Sequence, residues 1–185
     1  MGQVSRHPFS NRFFALWPDE PTRQRIAEAA AVLQRRSGMQ GRWIKPHRYH
    51  MTLQFLGGCA NASDDPVDRF VRAADAVHAQ AFEFAVDIAG SFAGAPVPCW
   101  LGCRQVPAAL QHLVDALARS LREHDCRAVD GKVWVPHVTI ARDADRRLQC
   151  AIEPVVRWRV DEFVLVESVL HPQAAYRILG RWALR

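Results

Sequence analysis

Lysine is nearly absent from this chain. Only Lys45 and Lys132 occur, so arginine supplies 22 of its 24 basic residues. No run of about eighteen apolar residues is present, which excludes a membrane-spanning helix. The first ten residues carry Arg6, His7 and Pro8 where a secretion signal needs an apolar stretch. The opening Met1-Gly2 suggests acylation, but that motif needs Ser or Thr at position 6 and meets Arg6. Five cysteines, Cys59, Cys99, Cys103, Cys126 and Cys150, form no C-x-x-C pair. Their odd number disfavours a disulfide framework, their spacing a thiolate zinc site, and free buried thiols are expected. These absences predict a soluble, cytoplasmic protein with no membrane partner, read as a monomer.

What is present is ordinary globular material: 185 residues, 49% hydrophobic and 23% charged, with a net charge of +5. That length supports one good core or two small lobes, and residues 1–185 are expected to form a single domain. The arginine excess suits phosphate and nucleobase contacts, because a planar guanidinium binds oxygens in pairs and stacks on rings. A GC-rich genome would produce the same excess through its codons, and charge balance alone does not choose between them.

Arg12 to Trp17 is short, aromatic and closed by Pro18, which predicts a buried first strand. A helix follows, capped by Asp19, with Pro21 in its first turn, Ile26, Ala30 and Leu33 on one face, and Gly38 as its stop. A second helix is expected from Pro66 to Ala79, capped by Asp64 or Asp65, with Val67, Phe70, Val71, Ala74 and Val77 as its stripe. A third starts at Pro107 and carries Leu110, Leu113, Val114, Leu117 and Leu121 at helical spacing. Strands are predicted over Arg42–Lys45, Tyr49–Leu56, Phe82–Ala89, Pro98–Cys103, Trp134–Ala141, Trp158–Ser168 and Tyr176–Trp182. Strands and helices do not alternate strictly, which favours an α+β fold with antiparallel sheets.

Threonine is also rare, with only Thr22, Thr52 and Thr139, and two of the three follow a histidine by two positions. His50-Met51-Thr52-Leu53 and His137-Val138-Thr139-Ile140 lie 87 residues apart, each in a predicted strand. Eight histidines and three threonines placed independently would give roughly 0.13 such pairs per chain, so two are not expected by accident. Strand alternation puts His50, Thr52 and Gln54 on one face and Met51, Leu53 and Phe55 on the other. It does the same for His137 and Thr139 against Val138 and Ile140. If the two strands are neighbours, two imidazoles and two hydroxyls face a common pocket.

Such a pocket suits phosphoester cleavage. A neutral imidazole takes a proton from a nucleophile while an imidazolium gives one to the leaving oxygen, and hydroxyls hold the non-bridging oxygens. This chemistry requires no metal, no cofactor and no covalent intermediate. Two other readings stay open at this point. Strand histidines commonly serve as hydrogen-bonded core or surface residues, and His47 beside His50 suggests a metal site, although no third ligand has sensible spacing. His78, His112, His124 and His171 lie outside the motifs and are taken as structural or solvated.

The two H-x-T-x elements occur with further matching stretches. These are Arg12-Phe13-Phe14-Ala15-Leu16-Trp17-Pro18, Arg42-Trp43-Ile44-Lys45-Pro46, Gln54-Phe55-Leu56-Gly57, Pro136 through Arg142, and Glu162 through Ser168. Together they resemble the 2H phosphoesterase superfamily over nearly the whole chain, and within it the bacterial RNA 2′,3′-cyclic phosphodiesterases, also called 2′-5′ RNA ligases. The resemblance implies a bilobal α+β fold of two pseudo-symmetric lobes, antiparallel strands flanked by helices, with one motif from each lobe facing a central cleft. It implies metal-independent hydrolysis of an RNA 2′,3′-cyclic phosphate end to a 2′-phosphomonoester, with reverse 2′-5′ joining in related enzymes. Carried onto this chain, His50 is the proton donor, His137 the proton acceptor, and Thr52 and Thr139 bind phosphate oxygens.

Arg142 matches a basic residue that follows the second motif, but strict alternation puts it on the face opposite His137. It reaches phosphate only if the strand ends or bulges first, and is otherwise a surface salt-bridge partner. Phe13 and Tyr49 are candidates for base stacking, with core packing as the alternative. The Leu170–Tyr176 turn lacks the glycines the family pattern carries, which bears on loop shape and accepted substrate. The same pocket would also serve a phosphodiesterase of a small cyclic phosphate nucleotide, or a non-catalytic RNA-end-binding protein that keeps both histidines.

Overall fold

The computed structural model describes residues 10–59, 66–126, 133–169 and 175–185. The N-terminal residues, the Asp64 or Asp65 cap and most of the Leu170–Tyr176 turn lie outside the described residues. Nine strands and three α-helices occur among the rest: β1 (Ser10–Leu16), α1 (Glu20–Ser37), β2 (Arg42–Trp43), β3 (Met51–Cys59), α2 (Val67–Asp75), β4 (Phe82–Ser91), β5 (Val97–Gly102), α3 (Ala108–Glu123), β6 (His137–Ala144), β7 (Gln149–Val160), β8 (Glu162–Val169) and β9 (Ala175–Ala183). Every strand pairing among them is antiparallel, so the fold is α+β as the sequence predicts.

The strand order β7-β4-β5-β6-β3-β1-β8-β9 divides into two halves of four, each with its motif strand innermost. At the waist β3 and β6 share one register pair, Met51 with Val138. Beyond it β6 leaves β3 and pairs with β2, Arg42 opposite Arg142. The chain joins the halves again in one extended segment, Gln149 to Val169, broken only at Asp161: β7 pairs with β4, and β8 lies between β1 and β9. Trp158–Ser168 is therefore two strands rather than one.

α1 begins as its residues dictate. Asp19 accepts from the Thr22 amide at 2.9 Å and Gly38 ends the helix in the left-handed region at φ 61. Its buried face, including Ile26, Ala30 and Leu33, packs across β7. α2 and α3 pack on each other and reach β9 and β3, with Ser120 Oγ donating to the Ala73 carbonyl at 2.7 Å. α2 stops at Asp75, short of the expected Ala79, where the chain tightens into a turn with the Val77 amide donating to the Ala74 carbonyl three residues back. The main core is continuous across both halves, from Phe14, Met51 and Phe163 to Leu113, Val138 and Trp158.

The start of β7 departs from the expected pattern because that strand is irregular. It begins at Gln149, well before the expected Trp158, and its early residues are mostly exposed. Its register slips between Val86 and Ile88 of β4, which pair with Val156 and Ala151, so Pro154 sits in a bulge on an edge strand. Among the thiols, Cys99, Cys103 and Cys126 are free and buried, whereas Cys150 is free and exposed.

Gly102, the last residue of β5, lies opposite His137. A Cβ there would stand 2.7 Å from the Pro136 carbonyl oxygen and 3.0 Å from the Trp100 ring. Gly102→Ala should cost about 1–3 kcal/mol by forcing the backbone apart. For a chain of this size that is a fall in Tm of about 3–10 °C in thermal unfolding. An unchanged Tm would mean that the two strands are not packed this closely.

Candidate active site

His50 stands one residue before β3 and His137 opens β6, so His50 is not itself within a strand as the sequence suggested. One register step on either side of the Met51–Val138 pair brings His50 level with Thr139 and Thr52 level with His137. All four line a cleft of about 410 Å³. The cleft opens there because β3 and β6 diverge beyond their single pairing.

Both rings are tethered in the same way. His50 Nδ1 lies 2.8 Å from the Arg48 carbonyl and His137 Nδ1 lies 2.7 Å from the Val135 carbonyl, each two residues upstream. A carbonyl only accepts, so each Nδ1 carries the hydrogen and Nε2 is left as the nitrogen that exchanges a proton.

The walls of the two rings differ. His50 is sandwiched between Phe13 (centroids 4.9 Å apart, planes at 25°) and Trp17 (5.6 Å, 12°), with the edge of Tyr176 at 5.2 Å. Burial in this box pushes the His50 pKa down to about 4, against the pull of the Arg48 carbonyl, and positive charge on His137, Arg48 and Arg142 lowers it further. His137 meets the edge of Phe92 at 4.8 Å and a tilted Trp100 at 6.4 Å. Burial lowers its pKa as well, opposed by the Val135 carbonyl and reinforced by Arg142. Both imidazoles are neutral at pH 7 in the free protein.

Arg142 joins the cleft. β6 carries an extra residue between the partners of Trp100 and Cys99, which pair with Thr139 and Ala141 and skip Ile140. Ile140 and Ala141 are both buried, the alternation changes phase, and Arg142 emerges on the side of His137 and Thr139. A second irregularity follows, with Asp143 at φ 57 and its carboxylate 3.0 Å from Arg42 Nε. β3 bulges likewise: Phe14 pairs with Gln54 and Ala15 with Thr52, skipping Leu53, while Phe13 pairs with Phe55. Phe55, expected on the apolar face, is consequently 40% exposed and lines the cleft.

The two base-stacking candidates are both buried. Tyr49 is 3% exposed and belongs to the main core, whereas Phe13 is 5% exposed and stacks its ring on His50. Sequence reasoning missed Arg48 and Tyr176 in the cleft wall. Arg48 lies 4.9 Å over the Tyr176 ring and donates to its hydroxyl at 3.4 Å. Arg48 was signalled only by its closeness to the motif, and Tyr176 by nothing local. His47 is exposed, and among the described residues no three His, Cys, Asp or Glu side chains gather as a metal site.

Because burial is the main cause of the His50 shift, Trp17→Ala should raise its titration midpoint from about 4 toward 6.5, read by NMR of the imidazole protons. The unfolded chain binds this proton near pH 6.5 and the folded one does not until about 4, so stability is full above 6.5 and falls on acidification between those values. A wild-type midpoint near 6.5 would remove the dry aromatic box as an electrostatic element.

Comparison with known proteins agrees with this geometry. A family model described as the 2′-5′ RNA ligase superfamily matches residues 17–171. An Aquifex aeolicus (strain VF5) protein named RNA 2′,3′-cyclic phosphodiesterase is 27% identical over 146 residues, covering 77% of each chain. The crystal structure of E. coli LigT complexed with 3′-AMP superposes with a TM-score of 0.78 at 26% identity, over 96% of this chain and 99% of that one. A Thermus thermophilus structure shares the fold, with a TM-score of 0.72 at 22% identity over 95% of this chain and 98% of that one. No helix among the described residues is long and apolar enough to cross a membrane. With the family model spanning most of its length and the paired histidines facing one cleft, this chain belongs to the 2′-5′ RNA ligase superfamily.

Proposed function

We propose that the protein hydrolyses RNA 2′,3′-cyclic phosphate ends to 2′-phosphomonoesters by acid–base catalysis between His50 and His137. The observation that carries this reading is the crossed placement of the motifs, each histidine level with the other's threonine across the Met51–Val138 pair. The two imidazoles line one cleft from opposite halves, each with Nδ1 tethered and Nε2 left to exchange a proton, which suits an acid and a base on either side of one phosphate. The names of the Aquifex relative and of the LigT complex with 3′-AMP support the substrate class.

In this mechanism His137 Nε2 takes a proton from water as the water oxygen bonds to phosphorus. The bond from phosphorus to O3′ breaks, and His50 Nε2 gives its proton to that oxygen, leaving a 2′-phosphate and a 3′-hydroxyl. Thr52, Thr139 and Arg142 hold the non-bridging oxygens, whose charge grows in the transition state. With a 5′-hydroxyl in place of water as the nucleophile, the same steps form a 2′-5′ linkage. His50 must be protonated to act, and in the free protein it is not. The anionic phosphate supplies the missing charge: bound beside His50, Arg48 and Arg142, it opposes the repulsion that holds the ring neutral.

A short RNA with a 2′,3′-cyclic phosphate should be converted to the 2′-phosphate in the presence of EDTA. His50→Ala and His137→Ala should each slow it about a hundredfold or more, the scale of a lost acid or base. Binding of the RNA by wild type with the ring left intact would sink the reading in favour of an end-binding protein. Turnover of small cyclic nucleotides alone would reassign the substrate.

A further inference from the structure

Beside the catalytic cleft lies a second and wider groove of about 700 Å³, sharing Thr52, Phe55 and His137 with it. Its character is different. Arg42, Arg48 and Arg142 line the cleft, whereas among the described residues no Arg or Lys lines the groove, whose walls are built from Phe55, Phe92, Trp134 and Val133 with the Ala93–Pro96 loop. A phosphate-cleaving site has no need of these apolar surfaces. Yet Phe55 at 40% and Val133 at 92% exposure are two of the four large apolar residues left open among the described residues.

The groove is also fixed in place. Trp134 Nε1 donates to the Thr52 carbonyl at 3.0 Å, tying the indole to the strand that carries the first motif. Phe92 rests its edge against His137 and packs on Trp100 at 5.5 Å. Phe55 reaches the groove through the same β3 bulge that brings it into the cleft. Rigid rings in a groove continuous with a cationic phosphate site suit a flat neutral group carried on the same nucleic-acid strand as that phosphate.

We infer that this groove is a subsite for the nucleobase one nucleotide to the 5′ side of the cyclic end, so that the protein selects oligonucleotide ends over mononucleotides. The inference rests on the proposed phosphodiesterase activity for its catalytic readout but is testable without turnover. The terminal phosphate is held between the two histidines, and the preceding base stacks among Phe55, Phe92 and Trp134. Stacking is sequence-tolerant, so any base is accepted there.

The test compares a mononucleotide with a dinucleotide. Wild type should hydrolyse a dinucleotide 2′,3′-cyclic phosphate with kcat/KM about tenfold or more above that of the mononucleotide, the scale of one stacked base. Ala93→Trp fills the groove from its exposed loop and should bring the ratio of dinucleotide to mononucleotide kcat/KM down to about one. In parallel, a dinucleotide 3′-phosphate lacking the terminal 2′-hydroxyl cannot react, and its affinity is read by tryptophan fluorescence against the mononucleotide 3′-phosphate. Tighter dinucleotide binding lost in Ala93→Trp supports the subsite even where no hydrolysis is seen, which would fault only the proposed reaction. Equal binding and equal turnover of the two ligands, or equal losses on both in the variant, would overturn it.

Discussion

The two halves of the sheet meet at one β3–β6 register pair, Met51 with Val138, and the site is a consequence of that economy. A longer ladder would keep β3 and β6 side by side and close the space between them. With one pair they diverge at once, β6 turning to β2, and the residues flanking the pair face a cleft. Antiparallel register then makes the crossed arrangement unavoidable, because a histidine one step before each paired residue must stand level with a threonine one step after the other. The same register accounts for the spacing of the motif. Histidine and threonine flank an apolar residue that enters the core, and Met51 and Val138 are fully buried.

Backbone irregularity supplies what regular strands cannot. In an unbroken strand Arg142 would point away from the histidine five residues before it, and Phe55 away from Thr52. Single-residue bulges near Ile140 and in β3 reverse the phase midway along each motif strand. Each strand thereby buries its early apolar residues and still delivers a late side chain to the site, a cation on one side and an aromatic ring on the other. Bulges are common beside functional sites because they re-aim a side chain without another element.

Much of this was legible in the sequence where the signal is local. Asp19, Pro21 and Gly38 bound α1 because caps and turns are short-range chemistry, and the spacing of Leu110, Leu113, Leu117 and Leu121 marks the buried face of α3. The H-x-T repeats marked the four central residues because two rare residue types at fixed spacing are seldom accidental. What escaped reading was set by distant parts of the chain. The first half of β7 lacks apolar alternation and contains Pro154, since an edge strand is exposed and tolerates a bulge. The wall of His50 depends on Tyr176, more than a hundred residues away. Phe13 and Tyr49 were named for stacking from residue type alone, which does not tell a ring in the core from one in a groove.

The two histidines are alike in tether and unlike in surroundings, and that difference bears on their division of labour. His50, boxed by Phe13, Trp17 and Tyr176, has the larger downward shift, so in the free protein the first proton goes to His137. A donor role for His50 needs the reverse order once substrate is bound. Burial works in that direction when an anion arrives. The dry aromatic walls that penalise an isolated imidazolium also weaken screening, so the attraction between that imidazolium and a phosphate in contact with it is stronger than it would be in water. The aromatic box suppresses protonation of His50 in the empty cleft, and in the proposed mechanism a bound phosphate reverses that penalty, so that the general acid is assembled by the substrate itself.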